Sequence, residues 1–509
     1  MTTGQVMEPN AVGLSSRLYA AGRRFIRSSV AVMIDHPVLT SFLVALGVRV
    51  VFAVLSSLVH EGVLIPDEGH YLQLAEVTLK GELADFWPGY GPSAFESTRT
   101  YMWPLVGLFW LFGQVRFVGQ LFSALLGAVT AAAAAAVAGR VLRRSYALAA
   151  GLIVALFPSQ VLWSSVVLRE SLVWAGLAGI AVVVGYSQRS SSVFRIVVSA
   201  LVVGLLFFAL ATTRVQTSVL ALWCMFPALL LGRGRRAVRA LSAVCVLAVA
   251  PLVVGLGLGG VTFAERSISA LGSSHAYMSV SAVSSFLVDT GPVATTGPVA
   301  TTGPVATTGP VATTGPVATT GPVATVFQSR TGAACNDRVR QELGEGRGII
   351  DASGPLLDRE RQDWLCISDG SGGAILVDNR LRTSLSRIPR GLFNMMVRPL
   401  PWETGLSNPD RFGAGLESSL WLVLYGLSGY GIWKHREHFA QVLFPVLLIG
   451  AIAVSGAVTQ GNLGTAFRHR GQILFALAIL SAGGLQAIVD RRKGRQRGRA
   501  VVGSPGAAR

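Results

Sequence analysis

Two adjacent carboxylates, Asp67 and Glu68, stand in the stretch Ile65-Pro66-Asp67-Glu68-Gly69-His70-Tyr71, directly after a long apolar run. Ionisable side chains beside an apolar phase are costly to keep, and they mark function by default. A carboxylate in that place can act as a general base on a sugar or lipid hydroxyl. The same three residues, Pro66, Asp67 and Glu68, would equally suit the first turn of a helix, where acids complement the dipole. The residues alone leave both readings open. Glu76 and Asp85 lie farther along the same stretch.

Cations form the second constellation. Arg214 closes Ala211-Thr212-Thr213-Arg214, Arg468-His469-Arg470 opens a late apolar run, and Arg169 precedes Glu170. The rigid guanidinium fork matches phosphate oxygens, so clustered arginines are good phosphate binders. A lipid-linked sugar carries its phosphate at the depth of these span ends. Arg169, Arg214, Arg468, His469 and Arg470 are therefore the candidate phosphate-binding residues. For Arg169 an internal ion pair with Glu170 or another helix is the competing reading, and His469 alone says little. No Cys or His cluster has metal-ligand spacing. The acidic pair could hold a divalent cation, and metal use stays open. Cys224 and Cys245 sit in apolar runs. Cys335 and Cys366 fall in a polar stretch placed outside the cytoplasm, where a disulfide between them could persist.

The elements that must position these groups are membrane helices. The 509-residue chain is 51% hydrophobic and only 14% charged, against roughly a quarter charged in soluble domains. An all-α polytopic membrane protein follows. At about 20 apolar residues per crossing, the sequence predicts about ten spans, near 38–59, 115–138, 146–160, 162–185, 194–212, 215–231, 238–259, 418–433, 439–458 and 471–489. The net charge of +17 is not a nucleic-acid footprint, because no basic face is interleaved with aromatics. It sits instead in the basic N-terminus 1–37, at Arg140/Arg143/Arg144, Arg189/Arg195, Arg233/Arg235/Arg236/Arg239, Lys434/Arg436, and the tail 490–509. A basic group follows every second span. The positive-inside rule then places both termini in the cytoplasm of an inner or plasma membrane protein. The first apolar run lacks a small-residue cleavage site and reads as a permanent span. The apolar segment 101–112 is broken by Gly113 and Gln114. Counting it as a span would invert every later loop, so it reads as a half-helix at the outer face.

Two large outer loops result, 60–114 and 260–417, between a bundle at 38–259 and the last helices at 418–489. The second loop carries GPVATT repeats over 291–325. A proline in each unit removes a ladder donor, so the repeat reads as a disordered, polyproline-like spacer. Segment 380–398 alternates Arg380, Arg382, Arg387, Arg390 and Arg398 with Leu381, Leu385, Ile388, Leu392 and Phe393. That spacing makes an interfacial amphipathic helix, whose arginines could meet lipid phosphates.

The acidic pair after the first span resembles that of GT-C class membrane glycosyltransferases, in particular the bacterial protein mannosyltransferase and aminoarabinose transferase group. Gly119-Gln120-Leu121-Phe122-Ser123-Ala124-Leu125-Leu126-Gly127 and Ala155-Leu156-Phe157-Pro158-Ser159-Gln160-Val161-Leu162-Trp163-Ser164-Ser165 resemble their second-to-fourth-helix region. Arg398-Pro399-Leu400-Pro401-Trp402-Glu403, and Gly461-Asn462-Leu463-Gly464-Thr465 before Arg468, look like motifs of proteins that build bacterial surface polysaccharide. The resemblance implies a GT-C-like fold, a polyprenyl-phosphate-linked sugar donor, a glycan, lipid or protein acceptor, inverting transfer on the outer face, and Asp67 or Glu68 as base. It does not extend to the repeat-bearing loop, and the longer acidic signature of a specific subfamily is missing. A polysaccharide polymerase or ligase is the alternative, with a flippase or transporter behind it. Against the latter, no inverted repeat of Gly/Pro-broken helices is visible.

Overall fold

The computed structural model describes residues 28–59, 63–84, 91–187, 193–231, 364–368, 374–378, 381–402, 409–459 and 463–502. In chain order its helices are α1 (Pro37–Val59), α2 (Pro66–Lys80), α3 (Gly91–Glu96), α4 (Arg99–Phe112), α5 (Arg116–Ala138), α6 (Arg144–Leu156), α7 (Pro158–Ser164), α8 (Glu170–Ser187), α9 (Val193–Ala211) and α10 (Val215–Leu231). A two-stranded antiparallel hairpin, β1 (Trp364–Ser368) and β2 (Ala374–Asp378), pairs Cys366 with Leu376. Then come α11 (Leu381–Met396), α12 (Pro409–Lys434), α13 (Phe439–Thr459), α14 (Leu463–Arg470) and α15 (Leu474–Val502). The expected span 238–259, the 291–325 repeat and Cys335 lie outside the described residues.

The protein is an α-helical polytopic membrane protein. Among the described residues six helices are long and apolar enough to cross a bilayer, and the bent pair α6–α7 makes up to seven. α10 is apolar but short, and α12 is not among the six because Ser, Gly and Tyr residues dilute its apolar run. The helices divide by what they face. Only 22% of the α1 window is buried, and Leu39, Leu43, Val51, Leu55 and Leu58 are exposed, as lipid-facing positions must be. The window of the last span is 72% buried. On α5, Gly127, Ala128, Ala131, Ala134, Ala135 and Ala138 form a buried small-residue face. Such faces let backbones approach where no hydrophobic drive exists between helices. Gly127 is required there: a Cβ would lie 2.5 Å from Arg49 Nε and 2.6 Å from Ser164 Oγ.

The sequence predicts a fourth span starting at 162. The structure starts it at Glu170, because Pro158 breaks the preceding helix into α6 and α7, bent by 58°. Proline cannot donate to Val154, one turn earlier. The Ser159 N–H donates to Glu417 Oε2 at 2.8 Å instead of to Ala155. Two carbonyls are thus freed inside the bundle, and Arg49 of α1 takes both: Nη1 reaches Ala155 O at 3.0 Å and Nη2 reaches Val154 O at 3.3 Å. Its Nε donates to Ser164 Oγ at 2.6 Å, and Nη1 also to Ala45 O at 3.0 Å. Arg49 is fully buried. Cations suit helix C-termini, and this one closes the end of α6.

The apolar segment 101–112 is α4, a helix of about 21 Å by its 14 residues, too short to cross. It buries Tyr101, Met102, Leu105, Val106 and Phe109 in a core shared with Leu74 and Ala75 of α2 and Val166–Leu168. At the other end of the bundle Arg143 pairs with Asp490, and Arg144 Nη1 lies 3.2 Å from Asp35 Oδ1. The α5–α6 turn, the start of α1 and the late part of α15 therefore meet there.

Candidate functional site

The acidic pair does begin a helix. Ile65 is extended, Pro66 opens α2, and Asp67 and Glu68 fill its first turn. The two carboxylates then part, because successive residues on a helix point about 100° apart. Glu68 turns inward and is fully buried. It accepts from Arg116 Nε at 3.1 Å and Nη2 at 2.8 Å, Gln120 Nε2 at 3.4 Å, and the N–H groups of Leu64 at 3.2 Å and Val167 at 3.3 Å. A carboxylate with both oxygens so occupied is not placed to take a proton from a substrate. In this structure Glu68 ties α2, α5 and the loop after α7 together.

Asp67 turns outward, half exposed, and pairs with Arg468 Nη1. The Arg468 guanidinium lies 4.7 Å from the centre of the Trp163 ring and 3.9 Å from Glu170 Oε1. Glu170 opens α8, where a carboxylate complements the dipole. The same Oε1 takes Arg214 Nη2 at 3.3 Å. Arg169 does not pair with its neighbour in sequence; its Nη1 donates to the Thr213 carbonyl at 3.2 Å, at the end of α9. Arg169, Arg214 and Arg468 are the charged neighbours of His469. Residues from α2, α14, α8 and the α9–α10 turn thus form one ion-pair chain, Asp67–Arg468–Glu170–Arg214, with Trp163 of α7 against Arg468.

Burial pulls the Arg214 guanidinium down to about 10, a fall that Glu170 opposes and that Arg169 and Arg468 deepen. It stays charged at neutral pH. Half-buried His70 is lowered from the ordinary imidazole value by burial, with Asp67 opposing and Arg169 adding to the fall. It is neutral at pH 7. Burial raises the Tyr71 hydroxyl, which keeps its proton beside Arg169 and Glu170.

Arg470 is the expected phosphate ligand that does not join. Two residues along a helix is about 200° around it, so Arg470 faces away from Arg468. It is buried, 5.4 Å from the centre of the Trp421 ring, with Glu417 and the Tyr425 hydroxyl as neighbours. Glu417 in turn holds Ser159 N and, at 3.0 Å, Trp421 Nε1. Glu76 pairs with Lys80 on the exposed side of α2. Asp85 lies outside the described residues. Among the described residues no three His, Cys, Asp or Glu side chains gather as metal ligands, and the pair considered for a divalent cation is split. Cys366 is on β1, and Cys224 is a buried free thiol.

Sequence reasoning passed over Arg49, Arg116, Tyr71, Trp163 and Glu417. Arg49 gave a usable signal, since it interrupts a long apolar run. Trp163 gave none, because its role depends on where the α6–α7 break aims it. No protein family, curated protein or solved structure matches the chain.

Proposed function

We propose that this protein is a membrane glycosyltransferase of the GT-C class that uses a polyprenyl-phosphate-linked sugar at the outer face of an inner or plasma membrane. The observation that carries the reading is the ion-pair chain. Four segments bring one half-exposed carboxylate, Asp67, against Arg468, which shares Glu170 with Arg214 at one end of a membrane bundle. In the proposed step Asp67 takes the proton of an acceptor hydroxyl. The acceptor oxygen bonds to the anomeric carbon as the bond from that carbon to the phosphate oxygen breaks, with inversion. The polyprenyl phosphate leaves with one added negative charge, beside Arg468, Arg214 and Arg169, where fixed cations stabilise it. His469 lies among these arginines.

Ten spans with both termini cytoplasmic agree with the helix directions. Thr217 of α10 bonds Gln472 near the cluster, while Leu229 of the same helix lines an apolar cavity with Val183, Ile196 and Ser199 at the far end. Glu417 of α12 is again at the cluster end, against Ser159. In this proposal the return crossing falls to the apolar run 238–259, which lies outside the described residues. Cysteines introduced singly within 60–100 are then expected to react with an impermeant maleimide on intact cells, and cysteines in the tail 490–509 only after lysis. Labelling of the tail on intact cells would overturn this orientation.

The function itself is tested by reconstituting the purified protein in nanodiscs with a panel of polyprenyl-phosphate hexoses and pentoses. Release of polyprenyl phosphate, dependent on an added glycan, lipid or peptide acceptor, is the expected result. Elongation of a preformed glycan on a diphosphate carrier, without release from any monophosphate donor, would instead mark a polymerase or ligase.

A further inference from the structure

Two ion-pair systems lie side by side in this site, and they are built differently. In Glu68–Arg116 the carboxylate meets two guanidinium nitrogens and three further donors. That is the geometry of a closed, permanent pair, and its partners on three elements explain why it is buried. The pair system around Glu170 is open. One oxygen, Oε1, faces both Arg214 and Arg468, at 3.3 and 3.9 Å. Its other oxygen, Oε2, is buried and meets no donor among the described residues. Arg214 Nη1, Arg468 Nε and the Trp163 indole N–H are likewise buried and meet no acceptor among the described residues.

Burying charges repays its desolvation cost only when lone pairs and protons are well satisfied. A single contact per partner, with donors and an acceptor left over on the same few groups, falls short of that. A further anion would find donors on Arg214, Arg468 and the Trp163 indole that meet no acceptor among the described residues. Asp67 is the partner most easily replaced. It is half exposed and bound to Arg468 alone, whereas Glu170 is nearly buried. Exposed pairs of that kind hold with at most about 1 kcal/mol.

We infer that Asp67 and the donor phosphate compete for Arg468, so that seating the phosphate moves Arg468 onto it and releases the Asp67 carboxylate for the acceptor. The inference rests on the glycosyl-transfer reading and adds an order of events to it. The donor binds first, and the base is freed by that binding, which keeps water from being activated in an enzyme without donor. Competition of this kind is reciprocal: whatever removes Asp67 must strengthen phosphate binding, although Asp67 is the residue on which turnover depends. A residue that bound the donor directly would behave in the opposite way.

The test is a double-mutant cycle on binding, read without turnover. The full-length protein is placed in zwitterionic nanodiscs and titrated with farnesyl phosphate as a short polyprenyl phosphate. Inorganic phosphate and nanodiscs containing phosphatidylglycerol serve as separate arms. Asp67→Asn is expected to tighten farnesyl phosphate binding about fivefold, the equivalent of about 1 kcal/mol. Arg468→Ala should weaken it. In the Arg468→Ala background Asp67→Asn should change affinity by less than about twofold, because the contested cation is gone. Asp67→Ala is the second variant, expected to tighten binding in the same way if Asn misfolds. Unchanged or weaker binding in both Asp67 variants, with wild type binding the probe, would overturn the competition and leave the glycosyltransferase reading standing. Tightening that persists without Arg468 would also overturn it. Failure of wild type to bind farnesyl phosphate, or equal displacement by phosphatidylglycerol alone, would remove the donor site itself and the inference with it.

Discussion

Asp67→Asn is expected to yield a folded protein whose rate of sugar transfer falls by about a hundredfold or more, the usual contribution of a positioned general base. The substitution keeps the size of the side chain and removes its ability to accept a proton as a carboxylate. The fold should tolerate it, since Asp67 is half exposed and its one ion pair, to Arg468, is of the weakly stabilising surface kind. Donor affinity should rise with the loss of the competing carboxylate, so kcat should fall more than kcat/KM, and KM for the donor should fall too. Glu68→Gln, one residue away, should behave differently. It removes charge from a buried carboxylate with five donors, including both nitrogens of Arg116, and should lower the unfolding midpoint. Breaking a buried pair on one side costs about 3–5 kcal/mol. Full transferase activity in Asp67→Asn would make the acidic pair no more than a helix start. The polymerase or ligase reading would then move ahead.

That contrast shows how far the sequence could be read. The apolar runs located α1, α5, α9, α10 and α13 to within a few residues, because lipid admits few alternatives to a helix of that length. Most of the charges at span ends also gather in one neighbourhood. Asp67, Arg169, Arg214, Arg468 and His469 do converge. Pairing inside the neighbourhood was not legible. Asp67 and Glu68 are adjacent and look alike, yet a rotation of about 100° sends one to solvent and the other to Arg116. Arg468 and Arg470 look like one patch, yet a half-turn puts Arg470 beneath Trp421. The fourth span starts at Glu170, eight residues later than the apolar run suggests, because Pro158 breaks the helix before it. The effect of that break, two freed carbonyls closed by an arginine from a helix about a hundred residues earlier, is a tertiary event. Periodicity within one helix carries no record of it.

Arg49→Met is expected to cost more stability than any substitution of the cluster. Two effects oppose each other. Removing a buried cation relieves its desolvation, and apolar replacements of buried charges can be neutral or stabilising when every partner leaves too. Here the partners stay. Val154 O has lost its donor to Pro158, Ala155 O has lost Ser159 N–H to Glu417, and Ser164 Oγ faces a methyl group. Water cannot reach the bundle interior to replace Arg49, and each buried polar group left unpaired costs about 1–3 kcal/mol. Ser164 keeps its bond to the Gln160 carbonyl, so two carbonyls are left unpaired, which amounts to a few kcal/mol, a sizeable part of the stability of a typical domain. Restoring the helix instead is blocked, because Pro158 has no N–H to give. The damage should reach the site. α7 is held at its start by Glu417 and at its end by Arg49 through Ser164, and it carries Trp163, the ring on which Arg468 lies. Arg49→Lys should recover only part of the loss, since one ammonium cannot match the fork spread over Ser164, Val154 and Ala155. Detergent-solubilised variants should therefore unfold in the order Arg49→Met, Arg49→Lys, wild type as temperature rises, and donor affinity should fall in parallel. A Met variant as stable as wild type would mean that the freed carbonyls find other partners and that the charge, not the hydrogen bonds, dominates at this break.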